Sequence, residues 1–115
     1  KKPKDDKVYL LHINEFCEDI EMYLYEIGSF EKLKKDKLYQ DAIVRKLEII
    51  GEAANNISDK FKARFPDVPW RDIIDMRNRL IHGYFGVDLN IVWQVITKDI
   101  PPLHKQIKDI LKELS

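Results

Sequence analysis

The stretch Leu89-Asn90-Ile91-Val92-Trp93-Gln94-Val95-Ile96-Thr97-Lys98-Asp99-Ile100-Pro101-Pro102-Leu103 decides the fold. Leu89, Val92, Trp93, Ile96, Ile100 and Leu103 recur every three or four residues, and the same phase continues through Ile107, Ile110 and Leu114. That is the period of a helix with one apolar face, not the alternation of a strand. Pro101 and Pro102 remove two amide donors but leave the phase intact. The segment therefore reads as one helix kinked at Pro101-Pro102, or two nearly coaxial ones, with Asp88 as its N-cap.

Working outward, the same signature appears three more times. Tyr9, Ile13, Phe16, Ile20, Tyr23, Leu24 and Ile27 mark a first helix that Gly28-Ser29 ends. Ile43, Leu47, Ile50, Ala54 and Ile57 mark a second behind an Asp36 cap, and its Gly51, Ala53 and Ala54 leave room for another helix to approach closely. Ile73, Ile74, Met76, Leu80 and Ile81 mark a third, from about Trp70 to His82. Between them, Phe30 to Lys37 carries four lysines and reads as a solvated connection, and Ser58 caps a turn through Phe61 and Phe65. Pro66-Asp67-Val68-Pro69 is a rigid turn that Phe65 and Trp70 pack onto the core. Lys1 to Asp6 is a charged lead-in without an apolar period. With no strand signal, the expectation is an all-α, up-and-down bundle of four to five helices, a single domain over residues 1–115.

Composition limits the function classes. Hydrophobic residues make up 44% and charged residues 35%, as in a soluble globular domain. No apolar run approaches the roughly 18 residues of a membrane span. The first residues do not resemble a signal peptide, and Cys17 is the sole cysteine. These features point to the cytoplasm and away from a membrane partner, a disulfide or a multi-cysteine metal site. Net charge is zero, which weighs against a broad nucleic-acid surface. The charge is unevenly spread, however. Val8 to Glu31 holds six acids and no Lys or Arg, whereas Lys60 to Arg79 holds six bases against three aspartates. A local anion-binding site beside an acidic first helix fits that distribution.

The basic end runs into Arg77-Asn78-Arg79-Leu80-Ile81-His82-Gly83-Tyr84. Two guanidinium groups, an amide, an imidazole and a phenol within eight residues suit anion binding and proton transfer. Asn78 and His82 lie four apart, on one ridge of a helix. Arg77 is five before His82 and comes near the imidazole only if the helix ends close by, an ending that Gly83 permits as a left-handed C′ residue. On these eight residues alone, a structural reading is also open. In it the arginines pair with Asp72, Asp75 or Asp88, His82 caps a helix end and Tyr84 packs beneath. Glu48 and Glu52, four apart, read as a solvated face or a partner for arginine rather than as catalytic carboxylates. His12 and His104 read as surface or packing residues.

Arg77-Asn78-x-x-x-His82 resembles the Arg-x(4–6)-His motif of the HEPN superfamily, and with Tyr84 it is similar to the Arg-x4-His-x-Tyr form of its HepT toxin family. Three further blocks agree in order: Leu47 to Ala54, Phe65 to Trp70 and Gly86 to Trp93. The resemblance implies a metal-independent endoribonuclease that needs no cofactor and works as a homodimer. It also implies an MntA-like nucleotidyltransferase antitoxin that silences the toxin by adding AMP to the tyrosine, here Tyr84. RNA, with tRNA one candidate, is the implied substrate.

In the chemistry this requires, His82 transfers protons, Arg77 stabilises charge on the phosphate, Asn78 orients one or the other, and Arg79 holds the RNA backbone if it faces the same way. A second His82 from a symmetry mate supplies the acid that one imidazole cannot be while it acts as base. The alternative function is a non-catalytic nucleotide-binding or scaffold partner of a nucleotidyltransferase.

Overall fold

A computed structural model describes residues 5–81 and 86–115. Helix α1 spans Asp6–Ile27, α2 Phe30–Lys35, α3 Lys37–Asn56 and α4 Asp59–Arg64. Then come α5, Trp70–Ile74, and α6, Met76–Leu80. The chain closes with α7, Leu89–Gln94, a π-helical turn, Val95–Asp99, and α8, Ile100–Leu114. The architecture is an all-α bundle, as the apolar periods require.

Caps set most of the boundaries. Gly28 adopts φ 73° and donates its N–H to Leu24 O, closing α1 in the left-handed conformation that glycine accepts without strain. The side chains of Ser29, Asp36, Ser58 and Asp88 accept from the first-turn amides of α2, α3, α4 and α7.

Helices α1 and α3 pack as an antiparallel pair, and three polar contacts fix their register. Asp6 at the start of α1 accepts from both the backbone and the hydroxyl of Ser58, just past α3, at 2.8 Å each. Lys46 meets Asp19 midway at 3.0 Å, and Tyr39 donates to Glu26 at the far end at 2.8 Å. Asp6 is therefore anchored in the bundle, as is Asp5, which caps α1, and neither belongs to a loose lead-in. The shared core is lined by Leu10, Ile13, Cys17 and Ile20 of α1, by Ile43, Leu47 and Ile50 of α3, and by Ile100, Leu103 and Ile107 of α8.

Three expectations change. The lysine-rich connection is a helix, α2, which buries Leu33 and turns its lysines outward. The helix expected from Trp70 to His82 divides at Asp75 (φ −83°, ψ 13°) and its last helical residue is Leu80. The distortion expected at Pro101-Pro102 sits one turn earlier. The π-helical turn takes it up, Ile100 N–H donating to Val95 O five residues back, and both prolines lie in the first turn of α8, where a missing N–H costs least. The π-helical turn takes more residues than an α turn, so Val92, Ile96 and Ile100, spaced four and four, all stay fully buried.

Candidate active site

The site is built where α3 carries the α5–α6 unit. Gly51 makes this possible: a Cβ there would lie 2.8 Å from Ile73 O, a backbone atom. The Pro66–Pro69 turn is locked by Trp70, whose indole N–H donates to Phe65 O at 3.0 Å. From that support α6 projects a single turn and a half and stops. Ile81 is extended (φ −109°, ψ 120°) and its N–H reaches Arg77 O at 3.0 Å.

The chain then leaves and returns to the same point. Asp88 N–H donates to Leu80 O at 2.9 Å, and Ile81 and Val87 form an isolated antiparallel bridge. The candidate site residues His82 and Tyr84, and the helix end expected at Gly83, lie outside the described residues. What is described is their frame, Leu80 and Ile81 on one side joined to Val87 and Asp88 on the other. Beside it a recess of about 620 Å³ is lined by Phe30, Lys34 and the segment from Gly86 to Asn90.

The two arginines of the motif go different ways. Residues 77 and 79 are two apart, about 200° around a helix, and they face opposite sides of α6. Arg77 points toward α3, where its Nε lies 3.8 Å from Glu48 Oε2. That distance is an ion pair but too long for a hydrogen bond. The Arg77 side chain is 75% exposed while Glu48 is 19% exposed, so the carboxylate is fixed and the guanidinium fork is open to a ligand.

Arg79 points toward the π-helical turn and donates to Asp99 at 2.9 Å, with its side chain 32% exposed. The condition under which Arg79 was expected to join Arg77 on the RNA, a common facing direction, is not met. Asn78 donates its amide to Asp75 at 2.7 Å. Neither arginine pairs with Asp72, Asp75 or Asp88 in the ion pairs of the described residues.

Glu48 and Glu52 behave as arginine partners, with Arg77 and with Arg45 at 3.9 Å. Sequence reasoning missed Asp99, whose surroundings in the chain, Lys98, Ile100 and then two prolines, gave no pairing signal. It also missed His104, which is buried between α8 and α1 with Nδ1 against the Glu21 carboxylate and Nε2 without a hydrogen-bond partner. Among the described residues, no three His, Cys, Asp or Glu side chains converge as a metal site, and no helix is long and apolar enough to cross a membrane.

The profile of the family described as Ribonuclease HepT-like matches residues 13–110, a span that takes in α3, both arginines and the bridge between Ile81 and Val87. The chain belongs to the HepT-like ribonuclease family. That family is one of endoribonucleases, which sets the reaction class.

Its relatives are microbial. A candidate RNase of Caldanaerobacter subterraneus subsp. tengcongensis is 46% identical over 110 residues, 96% of this chain and 97% of that protein. A probable ribonuclease HepT of Thermococcus cleftensis is 44% identical over 109 residues, 95% of this chain and 98% of that one. A Methanocaldococcus jannaschii protein named as a gamma-glutamylcyclotransferase and candidate RNase is 43% identical over 111 residues. The match covers 96% of this chain but only 50% of that protein, so this chain corresponds to about half of it. No solved structure matches the chain.

Proposed function

We propose that this HepT-like chain is the toxin of a toxin–antitoxin pair and cleaves RNA without a metal, through Arg77 and His82. The observation that carries the reading is an arginine fork left 75% exposed at the end of a helix that stops two residues before His82, within a chain of this family. RNA supplies its own nucleophile. The 2′-hydroxyl attacks the adjacent phosphorus while its proton passes to a base. The P–O5′ bond breaks, and the leaving oxygen takes a proton from an acid. The products are a 2′,3′-cyclic phosphate and a 5′-hydroxyl.

His82 is the proton-transfer group. Arg77, permanently charged and able to contact two phosphate oxygens at once, offsets the charge that grows in the transition state. A homodimer brings a second His82 for the opposite proton. With its amide held by Asp75, Asn78 acts by shaping the helix end, and its carbonyl oxygen is the group left to orient His82. We assign Arg79 to the architecture of the site, and it reaches RNA only if Asp99 lets go.

Tyr84, two residues beyond His82, is the acceptor of AMP from an MntA-like nucleotidyltransferase. The transfer breaks the α–β phosphoanhydride of ATP, joins AMP to the phenol oxygen and releases pyrophosphate. The new phosphodiester charge and adenosine bulk then occupy the place of the RNA phosphate. The experiment is incubation of wild type and Tyr84→Phe with the cognate nucleotidyltransferase, ATP and Mg²⁺, followed by intact mass. An AMP adduct on wild type alone is the expected result; an equal adduct on both removes Tyr84 from the scheme.

A further inference from the structure

Arg77 has a cationic neighbour outside its own motif. Glu48 and Glu52 lie four apart on α3, on one ridge of the helix, where the Cβ atoms of such a pair are about 5–6 Å apart. Each carboxylate faces a guanidinium: Glu48 is met by Arg77 at 3.8 Å and Glu52 by Arg45 at 3.9 Å. The two cations therefore stand on adjacent carboxylates, although one comes from α6 and the other from α3.

Arg45 reaches its partner in an uncommon way. An ion pair within a helix usually joins residues three or four apart, whereas residues 45 and 52 are separated by two turns, about 10.5 Å of rise. The arginine lies stretched along α3, past the turn that carries Glu48. At 3.9 Å its contact is an ion pair too long for a hydrogen bond, with the two side chains 64% and 67% exposed. Such a pair adds little to stability. Among the described residues, neither the Arg45 nor the Arg77 guanidinium donates a hydrogen bond, so both forks are open to a ligand.

Arg45 also lines a recess of about 210 Å³ between α3 and the start of α7. Val44, Val87 and Leu89 supply its apolar lining, and Val87 is 39% exposed. Asp41, the acid nearest Arg45 on the N-terminal side, is occupied by Lys37 at 2.7 Å. Glu48 lines the same recess, so the recess runs from Arg45 to the carboxylate that meets Arg77. An apolar wall between two open guanidinium groups is what a nucleoside flanked by two phosphates requires.

We propose that Arg45 is a second phosphate-binding residue of this chain: it takes the RNA phosphate next to the one held by Arg77, and the nucleoside between the two phosphates lies against Val44, Val87 and Leu89. A guanidinium contacts phosphate oxygens in pairs. Two forks on adjacent carboxylates thus hold two successive phosphates and set the register of the strand. Arg45 holds a phosphate that does not react, so it acts on binding and not on the chemical step. The inference rests on the ribonuclease reading above, which supplies Arg77 as the ligand of the reacting phosphate.

The test measures affinity for an RNA oligonucleotide 2′-O-methylated throughout, by fluorescence anisotropy over a range of salt concentrations, beside steady-state cleavage of the unmodified RNA. The proteins are wild type, Arg45→Ala, Arg45→Lys and Glu52→Gln. In Arg45→Ala, affinity is expected to weaken and KM to rise by about tenfold, with kcat within about twofold of wild type. Its log–log salt slope is expected to become shallower by about 0.7, the mark of one lost phosphate contact. Arg45→Lys is expected to keep the wild-type slope while losing part of the affinity, because an ammonium cannot fork. Glu52→Gln, which releases Arg45, is expected to bind at least as tightly as wild type.

Wild-type affinity and slope in Arg45→Ala overturn the proposal. So does a fall in kcat with KM unchanged, and so does a slope in Arg45→Lys as shallow as that of Arg45→Ala. If Arg45→Ala does not fold, Arg45→Gln decides by the same thresholds. A wild-type chain that neither binds nor cleaves RNA removes the ribonuclease reading and this inference together. RNA that binds without being cut removes the ribonuclease reading, and the salt slope then decides on Arg45. Cleavage by wild type with an indifferent Arg45→Ala removes this inference alone.

Discussion

At residue scale, the two arginines of one short helix are chemically identical and meet different surroundings. Arg77 meets a fixed carboxylate at 3.8 Å and keeps its fork in solvent; Arg79 is held at 2.9 Å. An exposed pair of the Arg77–Glu48 kind contributes about 0–1 kcal/mol, whereas a positioned cation at a developing charge contributes about 3–4 kcal/mol to the transition state. Arg77→Ala is therefore expected to leave the denaturation midpoint almost unchanged and to lower kcat by about 10²–10³-fold. Denaturation curves and cleavage rates on the same samples check both halves.

Gly51 shows the opposite balance. Alanine there gains about 1 kcal/mol of helix propensity, but its Cβ meets a backbone carbonyl at 2.8 Å, and overpacking of that kind costs about 1–3 kcal/mol. Net destabilisation of Gly51→Ala, read by urea melts, is the expected outcome. Cys17 offers a pH test. Burial, helped by Glu21 and Glu18, pushes its thiol up to about 12 from an ordinary 9.0. Below pH 9 both folded and unfolded chains hold the proton and the group is silent. Between 9 and 12 only the unfolded chain releases it, so stability falls with rising pH. Melts from pH 8 to 11 are expected to show a shallower decline in Cys17→Ala, and Cys17 in the folded wild type is expected to resist thiol reagents at pH 8.

At the scale of elements, caps and apolar periods were legible and distortions were not. Asp36, Ser58 and Asp88 could be read as caps because a short polar side chain ahead of an apolar run has one common use. The face Val92, Ile96, Ile100, Leu103, Ile107 and Ile110 survived two prolines in the sequence and is buried in the structure. Helix α2 was hidden because six residues with Leu33 as their buried anchor have no period to read. The π-helical turn was hidden because one extra residue per turn is compatible with spacings of four, which an α-helix also allows.

His104 was hidden because a histidine on an apolar stripe looks the same whether it packs or pairs. Its partner Glu21 lies on α1, 83 residues away. Because the imidazole is buried with Nδ1 against a carboxylate, replacing it removes packing and the contact with Glu21. His104→Ala is expected to cost about 1–3 kcal/mol in chemical denaturation. The Arg77–Tyr84 stretch was legible as a motif, and the opposite directions of Arg77 and Arg79 were not, because which way a side chain leaves a five-residue helix depends on what α3 and the π-helical turn present to it.

At the scale of the whole molecule, charge is segregated. Acids cluster between Val8 and Glu31 and bases between Lys60 and Arg79, so that a neutral chain still carries a basic segment. RNA binding through a few phosphates, not a broad surface, is the consequence, and its dependence on salt should be correspondingly mild, at about −0.7 in log–log slope for each phosphate held. The proposed homodimer would double that number by bringing two such sites together, and sedimentation in the presence and absence of RNA measures whether it forms.

The most direct test of the account is cleavage of RNA by the purified chain in EDTA, set beside Arg77→Ala and His82→Ala and followed by analysis of the new ends. The account expects wild-type cleavage that chelation does not affect, 2′,3′-cyclic phosphate and 5′-hydroxyl termini, no cut at 2′-O-methylated positions, and loss of activity in both variants. Cleavage that persists in His82→Ala or continues across 2′-O-methylated positions would contradict it.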